Sequence, residues 1–411
     1  MGILDRFRRT LSKDDFAGLV IRRAETIAQS VSAKYDADVF QIDFELADGR
    51  PLLMSLHNAY RDALAVPHKQ RNDIVDKYLA SMTDDHPDEC AEDTLARLMP
   101  VIRDPAMFAW GLLSARLSGH TGTGGGPCLR PFADSLSVAL VLDAEYATTT
   151  VNLKALISWG LDADAAFARA LTNLRDRTSD AGMERHGGVW ISTWNDVYDA
   201  SRMLLTDVIH RLPVHGEPVA VIPSRNKLFV TGSLDDEGIA LIATLAAGIL
   251  EEEARPLSGQ LLVLRDGAWT PFQGNLPAET ARRLNLARYR RLIGTYDDQK
   301  ALLEKVHEKE GVDVFVATYH AVEQTDTGRI TGSAQWTRDV LTLLPRCDEL
   351  WLFCDQRKEV LEIGWDDAVA YIPELATPVD DLDPPRFRLT DFPDDATYDA
   401  LKRRAVRIRT L

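Results

Sequence analysis

Short strand-like segments joined by hairpin signals, with helical stretches between them, recur along the chain and constrain its fold more than any other feature. Asp48-Gly49 and Asp266-Gly267 are turn dipeptides between apolar runs, and such dipeptides favour two-residue hairpins. Residues 223–226 join two further strand-like runs. Because hairpins create antiparallel pairs, the pattern predicts an α+β protein with antiparallel sheets built from hairpin–helix units. It argues against a doubly wound parallel sheet.

Two polar or glycine-rich segments interrupt this pattern and suggest domain boundaries. Residues 83–90 are polar and turn-rich, and residues 119–127 contain five glycines in nine positions. A chain of 411 residues is long enough for two or three domains. We expect an N-terminal helix–hairpin–helix domain over 1–90, a core domain over 91–275 and a C-terminal α+β domain over 286–411.

The overall charge and the cysteine pattern limit the partners and the compartment. Acidic residues outnumber basic ones, 63 to 47, so most of the surface should repel nucleic-acid phosphates, and no nucleic acid is expected as a partner. The cysteines form no CxxC pair, which favours reduced thiols in a cytoplasmic protein. No apolar run reaches the roughly 18 residues of a membrane span, so we expect no stable membrane association.

Several segments in the middle of the chain have a familiar form. They include residues 98–103, 136–143, 165–174 and 219–230, and the most specific is the run Tyr198-Asp199-Ala200-Ser201-Arg202. Over roughly residues 98–272 the chain resembles the bacterial domain-of-unknown-function family 1444 (YtpQ-like). That family has no established activity, so the resemblance implies a core domain here and transfers no catalytic residue.

The same run provides the first candidates for a binding site. Asp199 and Arg202 are three residues apart on a predicted helix and could pair with each other, or Arg202 could bind a carboxylate or phosphate. Trp190 and Trp194 flank Ser192 and could line a cleft, although most tryptophans serve cores.

His120 and Cys128 are candidates in the glycine-rich segment. A nucleophilic pair would need a third group to orient the histidine and an oxyanion hole, and the sequence shows neither. Gly126 is followed by Pro127, not by the Lys-Ser/Thr of a phosphate-binding loop. HExxH and other standard metal spacings do not occur. We therefore predict no catalytic residue, no metal site and no cofactor.

Three functions remain open after these exclusions. We expect a non-enzymatic protein-binding or adaptor module, such as an immunity-like protein that neutralises a toxin, and a basic protein partner would suit the acidic surface. The first alternative is a hydrolase whose site is assembled from distant residues. The second is a small-ligand sensor that uses a cleft between its two main domains.

Overall fold

The computed structural model describes residues 11–37, 40–47, 49, 51–83, 92–119, 125–133, 135–143, 148–178, 182–253, 255–323 and 328–411. Helices and mostly antiparallel strands alternate along these residues, so the predicted α+β class is confirmed. His120 and most of the predicted linker over 83–90 lie outside the described residues.

The helices and strands are numbered in chain order. The helices are α1 (Lys13–Ile27), α2 (His57–Ala65), α3 (Arg71–Thr83), α4 (Glu92–Ala96), α5 (Ala106–Leu117), α6 (Leu153–Ser158), α7 (Ala163–Asp176), α8 (Thr206–His210), α9 (Asp236–Glu252), α10 (Ala278–Glu310), α11 (Trp365–Tyr371) and α12 (Asp395–Lys402). The strands are β1 (Ser30–Asp36), β2 (Gln41–Leu46), β3 (Pro51–Ser55), β4 (Leu98–Arg103), β5 (Leu129–Pro131), β6 (Ser137–Asp143), β7 (Thr148–Thr150), β8 (Met183–His186), β9 (Val189–Ser192), β10 (Pro218–Ser224), β11 (Lys227–Gly232), β12 (Leu262–Arg265), β13 (Ala268–Pro271), β14 (Phe315–Val316), β15 (His320–Glu323), β16 (Ile330–Thr337), β17 (Thr342–Pro345), β18 (Glu349–Cys354), β19 (Glu359–Gly364), β20 (Ala376–Pro378), β21 (Arg386–Leu389) and β22 (Arg407–Thr410).

Hydrogen bonds join these strands into several sheets. Their strand orders are β1-β2-β3, β4-β6-β5 with β7 also on β6, β13-β12-β10-β11-β9-β8, β14-β17-β21-β20 and β15-β16-β18-β19-β22. Neighbouring strands in sequence pair as antiparallel hairpins in most cases, as the turn signals predict. Among the strand pairs whose register is described, β14 with β17 and β16 with β18 are parallel, and these pairs have no hairpin signal in the sequence.

The chain divides into two compact units. The first unit contains residues 1–100 and 140–173, and the second contains residues 101–139 and 174–411. The chain passes from one unit to the other within β4, within β6 and within α7. The three domains that the composition suggests stay a prediction.

In the first unit, α1 covers one face of a three-stranded sheet. The helix begins after Ser12, whose hydroxyl accepts a hydrogen bond from the backbone N of Asp15 at 3.0 Å, which satisfies one of the free donors of the first turn. Phe16, Val20 and Ala24 recur every four residues and are buried. They share a core with apolar residues of β2 and β3, namely Ile42, Phe44 and Met54.

In the second unit, α9 packs against β10 and β11. Asp235 caps the helix by accepting a hydrogen bond from the backbone N of Gly238 at 2.9 Å. The buried side chains of α9, such as Ile239 and Ile242, share a core with the apolar residues of β10. β10 is buried along its whole length, which suits its central position in a six-stranded sheet.

The longest described helix is α10, which has 33 residues. It ends where Gly311 adopts a left-handed conformation (φ 69°), a conformation that glycine reaches without steric cost. It contacts α5 and α9, and residues of its first half line a cleft together with residues 256–261, which follow α9. Its tyrosines Tyr289 and Tyr296 enter the core of the C-terminal sheets, together with Trp336.

No helix in the described ranges is long and apolar enough to cross a membrane. Cys128, Cys347 and Cys354 are buried free thiols. A cytoplasmic location remains a prediction from the sequence.

Candidate functional site

Asp199 and Arg202 lie in an irregular segment, not on the predicted α-helix. Asn195 and Val197 have positive φ angles of 53° and 66°, which prevents a regular helix from starting there. A short 3₁₀ helix, Ala200–Leu204, follows. A 3₁₀ helix has a tighter turn than an α-helix. Asp199 and Arg202 are therefore not arranged as the sequence predicts for two residues three apart on an α-helix.

Arg202 is fully buried and pairs with Asp196, not with Asp199. Its Nη1 and Nη2 donate to the two carboxylate oxygens of Asp196, both at 2.8 Å, and its Nε donates to Oγ1 of Thr178 at 3.0 Å. Burial disfavours the Asp196 charge, but the hydrogen bonds and charge of Arg202 outweigh it and lower the pKa of Asp196. Arg202 therefore has little capacity left for a ligand.

Trp194 supports this buried ion pair. Its ring lies 4.1 Å from the Arg202 guanidinium carbon, in cation–π geometry. On its other side it packs on Gly182, where an added Cβ would lie 1.8 Å from the ring. Trp190, on β9, is half-buried, and its Nε1 is buried without a hydrogen-bond partner in the described part of the chain.

Asp199 is fully buried in a segment that joins two distant parts of the second unit. Its Oδ2 accepts a hydrogen bond from the backbone N of Asp196 at 3.3 Å. Two residues later, Oγ of Ser201 accepts from the backbone N of Ile102 at 3.1 Å. The backbone N of Ala200 donates to the carbonyl of Arg225 at 3.1 Å. Through these bonds, the segment that contains Asp199 holds the end of β4 and the β10–β11 turn.

Cys128 is buried, with 2% of its surface exposed, and burial raises the pKa of its thiol. A buried thiol with a raised pKa is a poor nucleophile. His120 lies outside the described residues, so its position relative to Cys128 stays a prediction. Among the residues with described side chains, no cluster of three or more His, Cys, Asp or Glu residues could hold a metal ion.

Three arginines that the sequence did not single out converge where β4 and the β10–β11 turn meet. Arg103 is the last residue of β4, Arg225 lies in the turn after β10, and Arg255 follows α9. Ser224 forms an antiparallel bridge with Pro256, so Arg225 and Arg255 occupy adjacent positions on neighbouring backbones. We call these three residues the arginine cluster.

Two residues of the arginine cluster, Arg103 and Arg225, carry positive charge that no carboxylate among the described residues neutralises in an ion pair. The pKa of Arg103 is lowered to about 10, first by burial and then by repulsion from Arg225, with a smaller contribution from Arg255. Nη1 of Arg103 donates to the carbonyl of Ile102 at 2.9 Å. Within the described residues, neither Arg103 nor Arg225 forms an ion pair. An anion placed here would relieve the repulsion.

A cleft of about 170 Å³ lies next to the arginine cluster in the second unit. Its walls are the end of α9, residues 256–261 and the first half of α10. Its apolar lining consists of Leu250, Leu257, Leu261, Phe272, Leu276 and Leu284. Its polar lining consists of Ser258, Gln260, Asn285, Arg288 and Arg291. An apolar lining with a few polar groups is typical of small-ligand sites.

Two links join the cleft to the arginine cluster, and one is an ion pair while the other is a peptide bond. Arg291, which lines the cleft, forms an ion pair with Asp104, the residue after Arg103. On the other side, Arg255 directly precedes Pro256 of the cleft wall. Arg288, which also lines the cleft, forms no ion pair with the described residues. Among the described residues, Arg103, Arg225 and Arg288 are therefore the arginines of this region that form no ion pair.

Asp383 adds a titratable group to this region. Burial, followed by repulsion from Asp104, raises the pKa of Asp383 to about 6, against the opposing attraction of Arg291. Arg291 thus lies near two carboxyl groups and pairs with only one of them, Asp104. Below about pH 6, Asp383 is neutral and competes less for Arg291.

Comparison with known proteins gives one distant relative. The chain is 22% identical over 185 residues to a UPF0354 protein of Bacillus mycoides (strain KBAB4), and the match covers 44% of this chain and 65% of that protein. The chain thus spans a little less than two thirds of the length of the curated relative it matches. No family model and no solved structure matches. The similarity to a UPF0354 protein carries no activity with it, and the resemblance to family 1444 stays a prediction.

Proposed function

We propose that the protein is a small-ligand sensor that binds a small organic phosphate in the arginine-lined cleft of the second unit. The observation that carries this proposal is the unneutralised charge of Arg103 and Arg225. Both residues are partly buried, and proteins rarely bury a charge, even in part, without a partner. A ligand would supply the negative charge that pairs with these two arginines.

The chemistry of the lining favours an organic phosphate over a purely inorganic ion. Planar guanidinium groups donate two parallel hydrogen bonds to phosphate oxygens, and several lie at or beside the cleft. The leucines and Phe272 of the wall offer an apolar surface to the organic part of the ligand. The amides of Gln260 and Asn285 can bond to its hydroxyl or carbonyl groups.

The lining favours binding over catalysis. The described residues that line the cleft include one hydroxyl nucleophile, Ser258, but no histidine, cysteine or carboxylate, and serine needs an adjacent general base to react. The alternative of a hydrolase therefore gains no support from this cleft. The ligand-sensor alternative is supported, with its site inside one compact unit.

Isothermal titration calorimetry with phenyl phosphate, inorganic phosphate and phenol tests this proposal. We expect phenyl phosphate to bind more tightly than inorganic phosphate, and phenol not to bind, because the charge anchors the ligand and the ring adds apolar contact. Arg225→Gln and Arg288→Gln should each weaken binding of phenyl phosphate about tenfold or more, since each removes a charged hydrogen bond.

Arg403→Gln is the matched control, because Arg403 is exposed and lies outside the arginine cluster and the cleft. It should bind phenyl phosphate as the wild type does. Failure of the wild-type protein to bind either phosphate at millimolar concentration would contradict the proposal. Equal affinity in Arg225→Gln, Arg288→Gln and wild type would also contradict it.

A protein-binding or adaptor role remains the function that the whole-chain composition favours. Its support is the formal charge of −16, which suits a basic protein partner. A pull-down from native lysate tests it, with enrichment of one basic protein as the expected result. A lysate that returns no enriched protein would count against this role. Membership of family 1444 and a cytoplasmic location stay predictions alongside it.

A further inference from the structure

A second cavity lies in the same unit, away from the residues that line the arginine-lined cleft. It has a volume of about 240 Å³ and is formed by α5, the second half of α10, β17 and residues 379–382. Its floor is aliphatic and consists of Leu112, Leu113, Leu303, Val312, Leu343 and Val379. The size and the lining suit a compact aliphatic group rather than a large ring system.

Charges of both signs line this cavity without neutralising each other. Arg388 lies on β21, where it pairs in register with Leu343 of the cavity floor. Asp380 and Asp381 line the same cavity. Within the described part of the chain, none of these three side chains forms an ion pair. Arg116 also lines the cavity, but it is occupied by Glu310, at 2.7 and 2.5 Å.

A polar atom in the cavity wall is also left without a partner. His307, on α10, lines the cavity, and its Nδ1 is buried and has no hydrogen-bond partner among the described residues. Burial lowers the pKa of this imidazole, so it is neutral at physiological pH and can accept or donate one hydrogen bond. Buried polar atoms are normally satisfied, so this Nδ1 is a hydrogen-bonding group that a ligand in the cavity could use.

We propose that this cavity binds a free aliphatic α-amino acid, with leucine as its model ligand. The carboxylate of the amino acid pairs with Arg388, its ammonium group pairs with Asp380 or Asp381, and its side chain contacts the aliphatic floor. A zwitterion is the ligand class that satisfies one unpaired cation, unpaired anions and an apolar surface together. A phosphate ester would meet the repulsion of two carboxylates here, so this ligand differs from that of the arginine-lined cleft.

Isothermal titration calorimetry with L-leucine, N-acetyl-L-leucine and L-leucinamide tests the proposal on the full chain. We expect L-leucine to bind and both derivatives to bind at least about tenfold more weakly, because each derivative loses one charged hydrogen bond. Arg388→Gln should weaken L-leucine binding by the same factor and should abolish the preference for leucine over leucinamide.

Asp381→Asn together with Asp380→Asn should abolish the preference for leucine over N-acetyl-L-leucine. Asp266→Asn is the control, since Asp266, like Asp381, is exposed and has a positive φ angle (51° against 61°), a conformation that asparagine accepts. It should bind L-leucine as the wild type does. Phenyl phosphate binding, measured in the same variants, reports on the other cleft and should not change.

Two results would overturn the proposal. One is no detectable binding of L-leucine, L-isoleucine, L-valine or L-methionine to a wild-type protein that still unfolds cooperatively. The other is L-leucine binding that survives Arg388→Gln and the double aspartate variant without loss of affinity.

Discussion

Replacing Arg225 with glutamine should stabilise the protein in anion-free buffer and at the same time weaken its binding of phosphate. Arg225 forms no ion pair with the described residues, so its removal breaks no contact of that kind. The substitution does remove the repulsion that Arg225 exerts on Arg103, whose pKa is lowered to about 10 by burial and by this repulsion. If Arg225 binds a ligand, its removal is expected to raise the stability of the free protein and to weaken ligand binding.

The size of the effect follows from the pKa of Arg103. A shift of that extent corresponds to about 3 kcal/mol, at about 1.4 kcal/mol per pKa unit. Burial is the larger cause, so repulsion from Arg225 accounts for about 1 kcal/mol. Because the pKa of this base is lower in the folded protein than in the unfolded chain, the cost is fully present below about pH 10. It disappears only above the ordinary pKa of an arginine. The gain from Arg225→Gln is therefore expected at neutral pH.

Differential scanning calorimetry at pH 7, in low-salt buffer without phosphate or sulfate, measures the gain. Arg225→Gln should raise the Tm of the second unit by roughly 2–4 °C, the shift that about 1 kcal/mol produces in a domain of this size class. Added phenyl phosphate should raise the Tm of the wild type and should raise that of the variant much less. In Arg403→Gln, the Tm without phenyl phosphate and the Tm with it should both equal those of the wild type.

A lower Tm of Arg225→Gln in anion-free buffer would refute the reasoning, because it would mean that the Arg225 charge is already balanced. An equal rise of Tm with phenyl phosphate in the variant and the wild type would refute it as well.

Three further changes test other parts of the structure. Arg202→Gln should lower the free energy of unfolding by about 3–5 kcal/mol, because it leaves Asp196 without its buried partner. Urea denaturation measures this loss. A loss under about 1 kcal/mol would contradict the burial of the ion pair. Gly182→Ala should displace Trp194 and cost about 1–3 kcal/mol, with a changed near-ultraviolet circular dichroism spectrum; an unchanged spectrum and stability would contradict the close packing. The folded pKa of Asp383 is raised to about 6, so its contribution to stability is present below about pH 4 and is lost as the pH rises through 6. Asp383→Asn should flatten this part of the pH–stability profile, and a profile identical to that of the wild type would contradict the assignment.

The sequence predicts the secondary-structure elements that neighbouring residues determine, such as hairpins with a turn dipeptide. The hairpin at Asp266-Gly267 forms β12 and β13 in the expected register, with Leu264 opposite Trp269, because a turn dipeptide fixes both strands at once. The helical spacing of Phe16, Val20 and Ile27 predicts a helix over residues 14–34, and this prediction is wrong in its second half. The helix ends at Ile27, and β1 follows. β1 is held by pairing with β2, which is a tertiary contact that outweighs helix propensity.

In the candidate site, too, the local sequence predicts some features, and others depend on tertiary contacts. The run from Tyr198 to Arg202 is recognisable in the sequence, but the partner of Arg202 depends on two residues with positive φ angles, which no periodicity reveals. The arginine cluster combines residues more than one hundred positions apart. Its only local signals are an arginine at the end of an apolar strand, Arg103, and an arginine in a hairpin turn, Arg225. Such charges usually face solvent, so only the fold distinguishes these two.

A crystal structure grown with tungstate, a heavy analogue of phosphate, tests the central claim most directly. The account predicts an anomalous peak within hydrogen-bonding distance of the Arg225 guanidinium and of at least one of Arg103, Arg288 and Arg291. Tungstate bound elsewhere, with Arg103 and Arg225 each paired to a carboxylate of the protein, would contradict it.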